Sequence, residues 1–239
     1  MSLNVLVFAA HPDDAELNCG GTIAALKNQG KSVGIVDLTQ GEMGTRGTIE
    51  TRNKEARAAS KILGIDFREQ LNIGDSIIDN NRVNQLKIIA IVRHHKPLVC
   101  ITGAPDDRHP DHGKATRLCI DAFFYSGLRK IDSYGLDGEL QEAWRPKHIL
   151  HYMQDRPFEP DFIFDISDFW ETKQKAILAY KTQFNNNNES SEPATYISTQ
   201  KYFKGKLDRV QMQIIINKVP GVIYFIMMTA NDRLEQSQR

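Results

Sequence analysis

Short apolar runs alternate with longer amphipathic stretches along the first half of the chain. The apolar runs predict buried strands at residues 5–9, 32–38, 67–73 and 98–102. Apolar positions at helical spacing predict helices between and after these strands, at residues 15–29, 49–63, 83–95 and 113–124. Glycines stand where two of these helices should end, at Gly30 and Gly64. Repeated strand–helix units predict an α/β fold, a Rossmann-like domain with a mostly parallel sheet and helices on both faces.

The alternation loosens after residue 125. Strands are predicted at residues 149–153 and 162–166, and an amphipathic helix at residues 169–184. The Asn-rich stretch at residues 185–193 is typical of a mobile loop. Because the chain shows no internal repeat and no second domain pattern, we expect residues 1–239 to form a single domain, with this loop as an insertion or lid.

Residues 219–228 form an apolar run that a Pro-Gly pair interrupts. The run is too short to span a bilayer, so we expect it to be buried, either on the sheet or in a subunit interface.

The composition argues against several classes of binding partner. Thirty basic residues balance thirty acidic ones, which argues against a nucleic-acid partner. The three scattered cysteines, Cys19, Cys100 and Cys119, suit packed thiols rather than a disulfide framework or a zinc knuckle. The N-terminal residues lack the basic and apolar regions of a signal peptide. We therefore expect a cytoplasmic protein with no membrane or nucleic-acid partner.

Two of the predicted strands end in clusters of histidine and aspartate. His11, Asp13 and Asp14 follow the first strand, and His112 closes a cluster of aspartates and histidines after the strand at residues 98–102. In parallel sheets such strand ends gather at one edge, where ligands bind. Two imidazoles and one carboxylate, here His11, Asp14 and His112, are a ligand set of hydrolytic zinc that leaves a coordination position for water. Asp13 is then available to accept a proton.

Each cluster alone also fits an ordinary helix cap. Asp13 and Asp14 precede a predicted helix, which they could cap and whose dipole they would complement. The HPDH motif at residues 109–112 precedes another predicted helix and could likewise be an ordinary turn and cap. Two such clusters at strand ends of one sheet favour a shared site. A nucleotide-binding Rossmann-like module is a further alternative. The first turn disfavours it, because carboxylates replace the Gly-x-Gly-x-x-Gly fingerprint.

The other histidines have simpler interpretations. His94 and His95 lie at a helix C-terminus and His148 and His151 at a strand, so we expect structural roles for all four.

The motif at residues 10–16, AHPDDAE, with the later motif at residues 109–112, HPDH, resembles the LmbE/PIG-L family of zinc-dependent deacetylases. These enzymes act on N-acetylglucosamine derivatives. Matching segments at residues 39–47, 51–56 and 107–108 extend the resemblance over about residues 3–200, and together they look most like the bacillithiol-biosynthesis branch.

The resemblance implies roles for individual residues. The metal ligands would be His11, Asp14 and His112, and Asp13 the general base. His109 would lie beside the reacting carbonyl, Asp111 would orient an imidazole, and Arg52 would lie in the substrate pocket. The substrate would be a small N-acetylated glucosaminide, N-acetylglucosaminyl malate, with acetate released. A broader N-acyl sugar amidohydrolase is the alternative.

The resemblance also bears on cofactor and assembly. Zn²⁺ is the expected cofactor, and Fe²⁺ fits the same donors. Family members often form trimers or hexamers, so we expect a homo-oligomer. Past residue 206 the sequence departs from the family pattern, which puts that assembly in question for this chain.

Several further residues are candidates for substrate binding. Arg46, Arg52 and Arg108 lie near the same strand ends, and guanidinium groups suit a dicarboxylate such as a malyl group. For Arg46 and Arg108 a solvated loop or a surface salt bridge is an equal alternative. Glu42 is expected to contact sugar hydroxyls, and Tyr196 to close over the sugar.

Overall fold

The computed structural model describes residues 1–135, 137–184, 193–199 and 224–229. Its strands form one sheet in the order β3-β2-β1-β4-β5-β7-β6. The strands β1 to β5 are parallel, and β7 is antiparallel to its neighbours β5 and β6. In chain order the strands are β1 Val5–Ala9, β2 Val33–Asp37, β3 Phe67–Gln70, β4 Val99–Thr102, β5 His148–Tyr152, β6 Phe162–Asp165 and β7 Tyr224–Thr229.

Helices cover both faces of this sheet, as the alternating pattern predicts. They are α1 Asp14–Asn28, α2 Ile49–Leu63, α3 Arg82–His95, α4 Pro110–Ser126, α5 Trp170–Leu178 and α6 Lys181–Phe184. Alternate residues of β1 enter different clusters: Val7 packs with α1, α2 and α5, whereas Phe8 packs with α3 and α4. Because both faces are covered, the central strands are continuous apolar runs rather than alternating ones. The predicted α/β class is confirmed.

The predicted helix at residues 169–184 is not continuous. A short 3-10 helix, Ser167–Phe169, leads into α5, and the helical structure is interrupted between the end of α5 at Leu178 and the start of α6 at Lys181. The break places the buried hydroxyl of Tyr180 3.1 Å from Glu16 Oε1 and 2.9 Å from Arg68 Nη2. The helical periodicity of the sequence could not predict these contacts of Tyr180 with Glu16 and Arg68.

Strand β3 is shorter than its apolar pattern predicts. It ends at Gln70, and Asn72 has a φ of 49°, in the left-handed region that does not continue a strand.

The apolar C-terminal run enters the sheet. Residues 224–229 form β7 between β5 and β6, which agrees with the expectation that this run lies on the sheet. Residues 219–223 of the run and 185–192 of the Asn-rich stretch lie outside the described residues. Within the described residues, no helix combines the length and apolar character needed to cross a bilayer.

Strands β1 and β4 are neighbours and run parallel, with Val7 paired to Ile101. The segments that follow them, which carry the two histidine–aspartate clusters, therefore leave the sheet at the same edge.

Candidate active site

The turn between β1 and α1 presents three polar side chains in four residues. The His11 backbone N–H donates to Asp14 Oδ2 over 2.9 Å, and Asp14 is the first residue of α1. Between them Asp13 has a φ of 123° and a ψ of −26°, a conformation that non-glycine residues rarely adopt. Strain of this kind concentrates at functional sites. Here it turns the chain so sharply that His11, Asp13 and Asp14 line one cavity.

Asp14 lies between two imidazole rings. Its Oδ2 is 3.4 Å from His11 Nδ1, and its Oδ1 is 3.3 Å from His112 Nε2. One ligand atom from each of these residues lies within 4.8 Å of the other two. Ligands about 2.1 Å from a tetrahedral ion stand about 3.4 Å apart, so the observed spacing fits zinc.

In each ring, the nitrogen that faces away from Asp14 lies within hydrogen-bond distance of another carboxylate. His112 Nδ1 is 2.6 Å from Asp107 Oδ2, while His11 Nε2 is 3.2 Å from Asp75 Oδ1 and 3.3 Å from Asp111 Oδ2. Metal-binding histidines usually have such a partner, because it fixes the tautomer and the ring orientation. Each imidazole therefore turns its remaining nitrogen towards Asp14.

The electrostatics of the group favour positive charge at its centre. Burial lowers the pKa of His112, but Asp14 and Asp107 outweigh it and raise the pKa to about 9. Burial acts likewise on His11, and the carboxylates of Asp111, Asp14 and Asp75 raise its pKa well above the usual value. A field that favours protons on both rings also favours a divalent cation between them.

His109 lies beside these residues at the N-terminus of α4. Its Nδ1 accepts the backbone N–H of Asp111 over 3.3 Å, so the neutral ring carries its proton on Nε2. Burial and the neighbouring rings of His11 and His112 lower the pKa of His109. It is therefore a neutral donor near neutral pH. His11, His109 and Asp111 form a second group with ligand atoms within 4.8 Å.

The cavity above this group has a volume of about 250 Å³. Of the residues described above, the lining includes His11, Asp13, Asp14, Asp75, Asp107, His109 and His112. It also includes Asn18, Met43, Gly44, Thr45, Arg52, Arg108, Gln154, Asp155, Gln183, Thr195 and Ile197.

Comparisons with known proteins identify a family of deacetylases. The family model described as "PIG-L: GlcNAc-PI de-N-acetylase" matches residues 6–123. Diacetylchitobiose deacetylase from Thermococcus kodakarensis is 30% identical over 233 residues, covering 93% of this chain and 85% of that protein. The chain belongs to the PIG-L (LmbE) family of deacetylases.

Other relatives and structures extend the comparison. The 1D-myo-inositol 2-acetamido-2-deoxy-alpha-D-glucopyranoside deacetylase of Rhodococcus opacus is 25% identical over 240 residues, covering 75% of this chain and 81% of that protein. The crystal structure of the conserved protein TT1542 from Thermus thermophilus shares 37% identity with a TM-score of 0.81, covering 95% of this chain and 94% of that one.

Two residues of this PIG-L protein that are predicted to bind substrate, Arg52 and Glu42, make hydrogen bonds within the protein. Arg52 lines the cavity, but its Nη2 donates to Asp13 Oδ2 over 3.1 Å and to the Pro12 carbonyl. Glu42 is absent from the described lining of the cavity, and its two carboxylate oxygens accept the backbone N–H groups of Gln40 and Asp75. Glu42 thus supports the loop that carries Asp75.

The other two arginines differ in position. Arg46 is buried, its carbonyl accepts from Gln183, and it is not among the described residues that line the cavity. Arg108 lies at the mouth with its side chain about half exposed (51%). Its Nε donates to Asp155 Oδ2 over 2.5 Å, and its guanidinium carbon lies 4.7 Å from the centroid of the half-exposed Tyr196 ring.

Sequence reasoning assigned no role to three residues of the site. Asp75 and Asp107 hold the two imidazoles, and Gln154 Nε2 lies 3.4 Å from Asp14 Oδ1. All three lie in segments that follow parallel strands, namely β3, β4 and β5. That shared position was the available signal, since such segments gather at one edge of the sheet.

Two of the four histidines with predicted structural roles have backbone partners. His95 and His151 each place Nδ1 on a backbone carbonyl, of Met1 and Gly103 respectively. The three cysteines are buried and free.

Proposed function

We propose that this chain removes the N-acetyl group from an N-acetylglucosaminyl conjugate and releases acetate. His11, Asp14 and His112 would hold a Zn²⁺ ion, or Fe²⁺ in its place. One observation carries the proposal: Asp14 faces both imidazoles at 3.3 and 3.4 Å, while carboxylates hold the opposite nitrogen of each ring. Membership of the PIG-L family and the sugar substrates in the names of the relatives support it.

The bound ion would polarise the amide carbonyl and lower the pKa of water at the same centre. Asp13 is the general base of this proposal. Its buried carboxylate lines the cavity next to Asp14 and accepts a hydrogen bond from Arg52. It is not one of the three proposed metal ligands. It would accept the proton of the attacking water as the C–O bond forms.

His109 would act on the other side of the reaction. As a neutral ring with its proton on Nε2, it would donate that N–H to the oxygen that gains negative charge in the transition state. The proton held by Asp13 would then pass to the sugar nitrogen as the C–N bond breaks, which restores the carboxylate.

For the aglycone, we propose a malyl group. Arg108 supports this choice, because it places a half-exposed guanidinium at the cavity mouth, where it would bind a carboxylate in place of Asp155. The similarity to a diacetylchitobiose deacetylase favours a second candidate, a broader N-acyl sugar amidohydrolase. The ratio of kcat/KM for N-acetylglucosaminyl malate to that for N,N'-diacetylchitobiose separates the two. A ratio near one would reject the malate-specific proposal.

The Asp13→Ala variant tests the catalytic assignment. Because Asp13 is outside the ligand set, we expect the variant to bind one metal ion per chain while kcat falls by about two to four orders of magnitude. Acetate release and elemental analysis on the same sample measure both quantities. The matched variant is His112→Ala, which should lose metal. Near-native turnover by Asp13→Ala with metal bound would refute the role of Asp13.

A further inference from the structure

Asp107 has two carboxylate oxygens with different tasks, and its side chain is fully buried. We propose that Asp107 is a positioning residue: it presents His112 to the metal and ties that ligand to the segment that follows β5. This inference rests on the proposed function, since it assumes that His112 binds the ion.

The first oxygen sets the chemistry of the ring. Asp107 Oδ2 lies 2.6 Å from His112 Nδ1, and a carboxylate can only accept, so Nδ1 carries a proton. The lone pair of the neutral ring then lies on Nε2, the nitrogen that faces Asp14 at 3.3 Å. Asp107 thereby selects the tautomer and the orientation that a metal ligand needs.

The second oxygen anchors the neighbouring segment. Asp107 Oδ1 accepts the backbone N–H groups of Asp155 and Arg156, each over 2.8 Å. The same segment carries Gln154, whose Nε2 lies 3.4 Å from Asp14 Oδ1, and Asp155, which holds Arg108 at the cavity mouth. One side chain thus connects the ends of β4 and β5 with two members of the ligand set.

An asparagine of the same shape cannot perform both tasks. It has one acceptor oxygen and one NH₂ group, whereas Asp107 faces N–H donors on both sides. If the NH₂ group faces the backbone, it meets the N–H groups of Asp155 and Arg156, and two donors cannot form a hydrogen bond. If it donates to His112 Nδ1, the ring proton moves to Nε2, the atom required by the metal. Either orientation weakens metal binding.

The test compares zinc affinity in the full chain by competition with a chromogenic chelator. We expect the dissociation constant of Asp107→Asn to rise about 10- to 100-fold above that of the unmodified protein. The control is Asp106→Asn, because Asp106 is the adjacent residue, is exposed, and pairs with Arg156. Its zinc affinity should be unchanged. Thermal unfolding of each metal-free variant shows whether a loss of affinity reflects a loss of fold.

A measurement on the unmodified protein keeps the inference testable if Asp107→Asn does not fold. Long-range ¹H–¹⁵N NMR of the zinc-loaded protein should show His112 protonated at Nδ1, with the signal assigned from the His112→Gln variant. A proton on Nε2 would overturn the inference. So would equal zinc affinity in a folded Asp107→Asn, which would leave the proposed function intact. Absence of zinc binding by the unmodified protein would instead reject both.

Discussion

Asp13 is buried, and Arg52 is the neighbour that stabilises its charge. Burial raises the pKa of Asp13 above the usual value for aspartate, whereas the Arg52 guanidinium lowers it. A base must be ionised to act, so in the proposed mechanism Arg52 would extend the activity of Asp13 to lower pH. The buried position of Arg52 and its second bond, to the Pro12 carbonyl, fit this role better than a substrate contact alone.

Replacing Arg52 with methionine should therefore shift the pH dependence of the enzyme. Because the lowering effect of the guanidinium is lost, the pKa of Asp13 rises and the acid limb of the kcat/KM profile moves to higher pH. Zinc content should remain at one ion per chain. The control is Arg156→Met, which removes an exposed guanidinium paired with Asp106. An acid limb that stays in place in Arg52→Met would show that Arg52 does not tune the base.

The sequence was informative for residues whose roles depend on local spacing. His11 and Asp14 are three residues apart, and His112 lies in a short motif at another strand end, so their meeting could be inferred from the parallel fold. The partners of these ligands were harder to predict. Asp75 and Gln154 reach the site only because particular loops after β3 and β5 bend towards it. Neither residue has a spacing relation to the ligands along the chain.

At the scale of elements, α2 contributes to the site through its first turn. Thr48 caps the helix: its Oγ1 accepts the Thr51 N–H over 3.2 Å, and Thr51 Oγ1 accepts the Thr48 N–H over 2.7 Å. Arg52 follows directly, and its N–H donates to the Thr48 carbonyl. The cap thus fixes the turn from which Arg52 reaches Asp13.

The Thr48→Ala variant should link helix capping to activity. We expect a loss of about 1 kcal/mol in the free energy of unfolding, measured with urea. We also expect a fall in kcat of at most about fivefold, because a change of about 1 kcal/mol in the activation free energy can account for no more. The control is Asn81→Ala, since the Asn81 side chain caps α3 by accepting the Asn84 N–H, away from the cavity. It should lose similar stability but keep its kcat. Equal kcat in both variants would show that the cap of α2 does not affect catalysis.

The accuracy of the element predictions followed the strength of the local signals. Helix α2 lies at residues 49–63 as predicted, since Thr48 caps its start and Gly64, with a φ of 66°, ends it. The helix predicted at residues 169–184 had no such signal inside it. Its break depends on where Tyr180 meets Glu16 and Arg68, a contact with distant segments.

Across the whole molecule, the candidate site joins segments that are far apart in the chain. Its cavity is lined by residues that follow β1, β2, β3, β4 and β5, all five of the parallel strands. Sheet order explains this convergence, because β1 and β4 are central neighbours and the others flank them. A ligand that holds His11, Asp14 and His112 together therefore connects the first strand–helix unit to α4.

Metal binding should accordingly stabilise the fold as a whole. A ligand that binds only the folded state, at a free concentration 100 times its dissociation constant, raises the free energy of unfolding by about 2.7 kcal/mol. For a chain of this size, that raises Tm by about 5–11 °C. Thermal unfolding of the metal-free protein with and without zinc at that concentration measures the shift. The His112→Ala variant, which lacks one ligand, should show a much smaller shift under the same conditions. An equal shift in that variant would mean that zinc stabilises the protein from a place other than the His11–Asp14–His112 group.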